Sequence, residues 1–159
     1  MFWRHRKQHR IDWLTDDIAI SAEPSADDWP GLRAAGVRCV LDLRQEALDN
    51  AGLVNAAGLG YLRVPITEGE APSQDELRLA TGWIDEHLGT DGPVLIHCRE
   101  GRGRSATVAI AALVNFGMPL FEAYRITMRV RPQTSINDAQ QEALRRFAEA
   151  RERFREAGS

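Results

Sequence analysis

One strand-to-helix turn restricts the fold of this chain more than any other stretch. Pro93-Val94-Leu95-Ile96 is an apolar run that reads as a buried strand. Ala106-Thr107-Val108-Ala109-Ile110-Ala111-Ala112-Leu113-Val114 is too long for a strand and reads as a buried helix. Between them lie His97-Cys98-Arg99-Glu100-Gly101-Arg102-Gly103-Arg104-Ser105. Backbone N–H groups in such a turn can face inward around an anion, and the helix N-terminus behind it adds positive potential. A thiol placed there is expected to lose its proton easily, because helix termini and neighbouring cations favour thiolate. Arg104 lies six positions after Cys98, where the loop closes. A guanidinium there can grip two oxygens of one phosphate. The bland alternative is a buried structural cysteine beside a solvated arginine.

Composition sets the frame for that turn. At 159 residues the chain makes one domain, long enough to bury a proper core. Its net charge of −3 gives no general pull toward nucleic acid. Two cysteines do not make a disulfide framework, which suggests a reducing, cytoplasmic setting. No apolar stretch approaches a membrane span. Ile11-Asp12-Trp13-Leu14 turns acidic directly after the basic start, so no secretory signal is expected. The basic tail Met1–Arg10 carries Phe2 and Trp3. It reads either as a weak contact with an anionic membrane surface or partner, or as a loose terminus.

The rest of the chain alternates strand and helix patterns. Ile11–Ile20 reads as two short strands around Asp16-Asp17. Ser25 with Asp28 resembles an N-cap pair that opens a short helix through Trp29, Leu32 and Ala35, ended by Gly36. Val37–Leu43 is rich in β-formers and reads as a central strand, with Cys39 near its start as core filler. Gln45–Ala57 reads as a helix, Gly60–Pro65 as a strand and Ile66–Pro72 as a polar loop. Ser73 and Glu76 form a capping box for a helix through Leu88. Gly117 stops the helix after the turn, Leu120–Val130 is amphipathic and ends at Arg131-Pro132, and Asn137–Ala157 is a surface helix with one buried stripe. The pattern predicts an α/β domain over residues 11–159, with a small, twisted, largely parallel sheet flanked by helices. The active loop would sit at the C-terminal edge of that sheet, where ligands bind in open α/β folds.

The pattern H-C-x-x-G-x-x-R-S, carried by His97, Cys98, Gly101, Arg104 and Ser105, resembles the signature loop of the cysteine-based protein tyrosine phosphatases. It is closest to the small dual-specificity phosphatases. Five specified positions at roughly 5% each give a chance match below about one in a million per starting point. The resemblance implies the same α/β fold and a metal-independent phosphomonoester hydrolase acting through a phosphocysteine, with no cofactor. Cys98 would be the nucleophile. Arg104 and the backbone N–H groups from Arg99 through Glu100, Gly101, Arg102 and Gly103 to Arg104 would hold the phosphoryl oxygens. His97 would brace the loop, and Ser105 would help the sulfur leave.

The same family takes a proton for the leaving group from an Asp on an upstream loop, typically four residues before a proline. In Pro65–Pro72 that place holds Glu68, one methylene longer. Glu70 and Asp75 compete for the role, and all three could simply be solvated loop charge. Asn137, Gln140 and Gln141 lie where some relatives place a polar residue near the attacking water, and otherwise read as helix surface. The basic loop residues Arg99 and Arg102 suit a substrate with more than one phosphate. A phosphorylated protein or another phosphomonoester is the expected substrate. A phosphoinositide phosphatase of the same superfamily and a non-catalytic phosphate-binding module are the alternatives. A rhodanese-type sulfurtransferase would lack the closing Arg-Ser and the preceding His, and an arsenate reductase would need partner thiols that Cys39 is badly placed to supply.

Overall fold

In the computed structural model, which describes residues 8–47 and 50–158, the apolar run before the turn is the middle strand of a sheet. The chain order is β1 (Asp12–Trp13), β2 (Ile18–Ser21), α1 (Trp29–Ala34), β3 (Cys39–Arg44), α2 (Ala51–Ala56), β4 (Gly60–Ile66), α3 (Gln74–Leu88), β5 (Val94–His97), α4 (Arg104–Asn115), α5 (Leu120–Val130) and α6 (Asp138–Ala157). The strands lie in the order β1-β2-β5-β3-β4, with only the β1–β2 pair antiparallel. This is the small, largely parallel α/β sheet expected from the sequence.

Strand alternation explains the two layers of helix. Ile18, Ile20, Cys39, Leu41, Leu43, Val94 and Ile96 share one face and pack on α3, α4 and α6. Ala19, Val40 and Leu95 point the other way, onto Trp29 and Leu32 of α1 and Val54 of α2. A sheet buried on both faces accounts for the near-continuous apolar strands. α4 is buried from Arg104 to Val114, so the helix behind the turn is the core helix of the molecule. No helix among the described residues is long and apolar enough to cross a membrane.

Register sets where the chemistry sits. Ser21 and Asp42 lie on either side of His97, at the C-terminal ends of β2, β3 and β5. Cys39 pairs with Val94 at the far end of β5. Four residues of strand rise therefore separate Cys39 from Cys98, roughly 13 Å. Burial, helped by Asp91, pushes the Cys39 thiol up to about 11.

Two boundaries differ from the sequence reading by more than a residue or two. The helix expected over Gln45–Ala57 is only α2, and residues 48–49 lie outside the described part. Arg63 donates to the carbonyls of Arg44, Gln45 and Ala47 at 3.0, 2.9 and 3.0 Å, which fixes that segment in a non-helical course. The Ser25–Asp28 pair forms, with Ser25 N donating to Asp28 Oδ2 at 2.7 Å, but it makes a turn and α1 starts only at Trp29. Most of the tail read as a surface contact, residues 1–7, also lies outside the described residues.

Candidate active site

The turn after β5 is held by its carbonyls. The Cys98 carbonyl faces His97 Nδ1 at 3.3 Å, and Glu23 N donates to the Arg99 carbonyl at 2.9 Å. Arg131 Nη2 donates to the Glu100 carbonyl at 3.1 Å and Arg131 Nε to the Gly101 carbonyl at 2.6 Å. Ser135 N donates to the Arg102 carbonyl and Thr107 N to the Gly103 carbonyl, both at 2.9 Å. A trans peptide points its N–H opposite its C=O. With every carbonyl tied outward, the N–H groups of Arg99 through Arg104 turn toward the inside of the loop. Gly101 N donates to Cys98 Sγ at 3.2 Å. Gly101 has φ +68°, and a Cβ there would meet Arg131 Nη2 and the Ser21 carbonyl oxygen at 2.6 Å. Only glycine fits this corner.

Arg131 is 4% exposed, and its Nη1 donates to Asp12 Oδ2 at 2.7 Å. One guanidinium thus fixes two successive peptide planes, with its charge balanced by β1. The sequence marks Arg131 only as a helix end. What Arg131 reaches is set by tertiary packing, so no local signal identifies it.

Cys98 is 3% exposed, and its Sγ lies 3.3 Å from Ser105 Oγ. Arg104 is held from the opposite side. Its Nη1 and Nη2 donate to Glu46 Oε2 and Oε1 at 2.8 and 2.7 Å, and Nη1 also donates to the Ile66 carbonyl at 2.8 Å. Those bonds use three of the five guanidinium hydrogens. The remaining pair, Nε–H and the second Nη2 hydrogen, form a side-on fork without a partner among the described residues. A phosphate can take that fork. The Arg104 bond holds the Glu46 carboxyl down at about 2. Burial pulls Arg104 down, and Glu46 together with the nearby Cys98 and Glu68 more than restores it. Glu46 was not singled out in the sequence because it falls within the segment read as helix.

Beneath the loop is a buried polar cluster. Asp42 is fully buried and accepts from Arg44 Nε at 2.9 Å, Arg44 Nη2 at 2.7 Å and Tyr61 OH at 2.7 Å. Burial raises the Asp42 carboxyl, and these bonds with nearby His97 outweigh it, leaving it below the usual range. Arg44 also pairs with Glu23, whose N–H holds the Arg99 carbonyl. Burial drives His97 down to about 4, with Asp42 opposing and Arg44 assisting. The imidazole is therefore neutral at neutral pH, although its Nε2 lies 3.9 Å from Asp42 Oδ1.

Cys98 and Arg104 open onto a pocket of about 300 Å³, with Glu68 on its wall. Glu100, Arg102 and Gly103 also line it, whereas Arg99 is exposed and does not. Glu70 and Asp75 lie elsewhere. The Glu70 carbonyl accepts from Gln140, and Asp75 pairs with Arg78 in the first turn of α3. Gln140, which the sequence left either near the attacking water or on the helix surface, lines this pocket and is 2% exposed, packed between Gly103 and the Glu70 carbonyl. No aromatic side chain lines the pocket among the described residues. No group of His, Cys, Asp and Glu among them could hold a metal ion. The arrangement can bind an oxyanion in the amide ring and on the Arg104 fork, with sulfur beneath it and a carboxyl at the rim.

Comparison with known proteins points the same way. Residues 17–118 match the model of a family described as a polymorphic toxin system DSP-PTPase phosphatase. The chain is 26% identical over 152 residues to the phosphatidylglycerophosphate phosphatase PTPMT2 of Arabidopsis thaliana, covering 91% of this chain and 67% of that protein. It is 29% identical over 124 residues to dual specificity protein phosphatase 14 of Mus musculus, covering 77% of this chain and 61% of that one. The crystal structure of Tk-PTP in the active form superposes with a TM-score of 0.81 at 30% identity, covering 87% of this chain and 96% of that one.

Proposed function

The chain belongs to the DSP-PTPase phosphatase family, and from that premise we propose that it hydrolyses phosphomonoesters through a phosphocysteine on Cys98. In the first step the Cys98 thiolate attacks phosphorus in line and the P–O bond to the alcohol breaks. The amide ring and the Arg104 fork hold the equatorial oxygens as charge redistributes. Glu68, in its protonated form, gives the leaving oxygen its proton. In the second step water attacks phosphorus, Glu68 takes a proton from that water, and the P–S bond breaks. The Ser105 hydroxyl then donates to the departing sulfur. His97 braces the loop through the Cys98 carbonyl.

The reading is carried by one observation, a buried sulfur within an amide ring opposite a guanidinium whose side-on fork is open. Phosphorylated protein is the first substrate class, read by an exposed pocket rim with Arg102 and Glu100 upon it. A second reading, a small aliphatic or lipid phosphomonoester, is favoured by the pocket's lack of an aromatic wall. The test is turnover of p-nitrophenyl phosphate without added metal. The parent chain is expected to be active and Cys98→Ser inactive; a folded but inactive parent would leave only a phosphate-binding module. Phosphopeptides and phosphoinositides compared on the parent then separate the two substrate classes. Glu68→Gln is expected to slow alkyl phosphates far more than p-nitrophenyl phosphate, since the latter's leaving group needs little protonation.

A further inference from the structure

Two helices of this chain start with reciprocal capping boxes built from different chemistry. α3 uses Ser73 and Glu76, the residue types the motif favours. Ser73 Oγ accepts from Glu76 N, and Glu76 Oε1 accepts from Ser73 N, both at 3.0 Å. α6 makes the same two bonds with Asn137 and Gln140, at 2.9 and 3.0 Å. A cap needs only the oxygen acceptor. An amide adds a donor, and here both donors are used. Asn137 Nδ2 donates to the Gly69 carbonyl at 2.8 Å, and Gln140 Nε2 to the Glu70 carbonyl at 3.3 Å. One partner of each amide is an N–H and the other a carbonyl, so only one orientation satisfies both.

Those carbonyls belong to the two residues directly after Glu68. The turn that carries them is tight, with Glu70 N donating to the Thr67 carbonyl at 3.0 Å and Gly69 at φ +82°. The segment that leads into α6 also grips the signature loop. Ser135 N donates to the Arg102 carbonyl at 2.9 Å, and a Cβ on Gly103 would lie 3.3 Å from Gln140 Nε2. One short segment therefore holds the sulfur-bearing loop on one side and the Glu68 turn on the other.

We propose that Asn137 and Gln140 are positioning residues that latch the Glu68 turn to the start of α6 and fix the carboxyl over the pocket. The inference rests on the reading of Glu68 as the general acid. An acid must stand within hydrogen-bond reach of the oxygen it protonates, and a misplacement of about 1 Å can cost on the order of a hundredfold. The latch explains why this cap is built from amides where α3 has a hydroxyl and a carboxylate.

The test is the double variant Asn137→Asp, Gln140→Glu. Both cap acceptors survive and negative charge at a helix N-terminus is favourable, but a carboxylate at the 2%-exposed Gln140 position is buried facing the Glu70 carbonyl, so thermal stability is expected to fall. Both latch donors are lost. Hydrogen exchange over residues 67–71 is expected to accelerate by about tenfold or more while α6 keeps its protection. Turnover of glycerol phosphate is expected to fall about tenfold further than turnover of p-nitrophenyl phosphate. Added negative charge repels both esters alike, so the ratio reads the acid. Asn137→Ser, a neutral cap without the amide donor, is expected to shift the same ratio in smaller measure. Unchanged exchange over 67–71 in the double variant overturns the latch. Faster exchange with equal losses on both esters overturns the positioning of Glu68. Glu68→Gln run alongside keeps the two readings apart. If that variant also spares the ratio, the acid assignment fails and exchange alone judges the latch.

Discussion

Arg104 shows how one residue is shaped by another far along the chain. A lone arginine at the end of an anion loop has five donors and a flexible stem, so it could face solvent. Glu46 takes the end-on pair and the Ile66 carbonyl takes one more hydrogen, which leaves a single fork aimed at the pocket. The carboxylate thus sets geometry and does not compete for the site. Glu46→Gln keeps the shape and one acceptor but loses the charge and the second oxygen. Its kcat/KM is expected to fall roughly tenfold, with little change in thermal midpoint, since in the proposed mechanism Arg104 holds the phosphoryl oxygens and its misorientation acts on the transition state. Unchanged kinetics would mean that the Ile66 carbonyl and the loop orient Arg104 unaided.

At the scale of elements, the amide ring depends on α5 ending where it does. Arg131 follows the last residue of that helix and reaches back to the Glu100 and Gly101 carbonyls, while Asp12 of β1 balances its charge. Arg131→Lys retains the charge for Asp12 but replaces a planar fork with a point donor. Its single nitrogen cannot span both carbonyls and Asp12 as the three guanidinium nitrogens do. The variant is expected to fold, judged by an unchanged far-ultraviolet spectrum, and to lose at least about tenfold in kcat/KM, with weaker inhibition by inorganic phosphate. Gly101→Ala should do more harm, because the Ser21 carbonyl that a methyl would strike is backbone and cannot rotate away. The elements themselves were legible in the sequence wherever pattern is local. The apolar run of β5, the buried length of α4 and the Ser73–Glu76 cap each follow from neighbouring residues. Cys98 and Arg104 were legible as a spacing. What could not be read is what crosses the chain. The Gln45–Ala57 pattern is helical on its own terms, and Arg63 from β4 overrides it. Glu46 and Arg131 carry no signal in their neighbours, since each acts through partners at least thirty residues away, and for Gln140 the cap with Asn137 is local but the reach to the Glu70 carbonyl is not.

At the scale of the whole molecule, the polar cluster under the loop ties catalysis to stability. His97, Asp42 and Arg44 lie at the end of the two central strands, with His9 also close enough to be felt. Burial keeps His97 neutral down to about 4, against an ordinary value of 6.5. The unfolded chain binds a proton there as pH falls through about 6.5, and the folded chain does not. Stability attributable to this residue is therefore intact above pH 6.5 and is lost progressively as pH falls to about 4, on the order of 3 kcal/mol in all. Glu46 follows at lower pH. Its carboxyl sits at about 2, below the usual 4.5, so its contribution is complete above pH 4.5 and disappears as pH drops through about 2. The two windows scarcely overlap, and urea unfolding at intervals between pH 7 and pH 4.5 isolates the first. His97→Asn keeps a donor near the Cys98 carbonyl but cannot titrate. It is expected to be less stable than the parent at pH 7 and to show a much flatter slope between pH 6.5 and pH 4.5. A parent whose stability is constant across that interval would mean that the imidazole protonates in place, with Asp42 as its counter-ion, and that the loop is braced by a cation instead of a neutral ring.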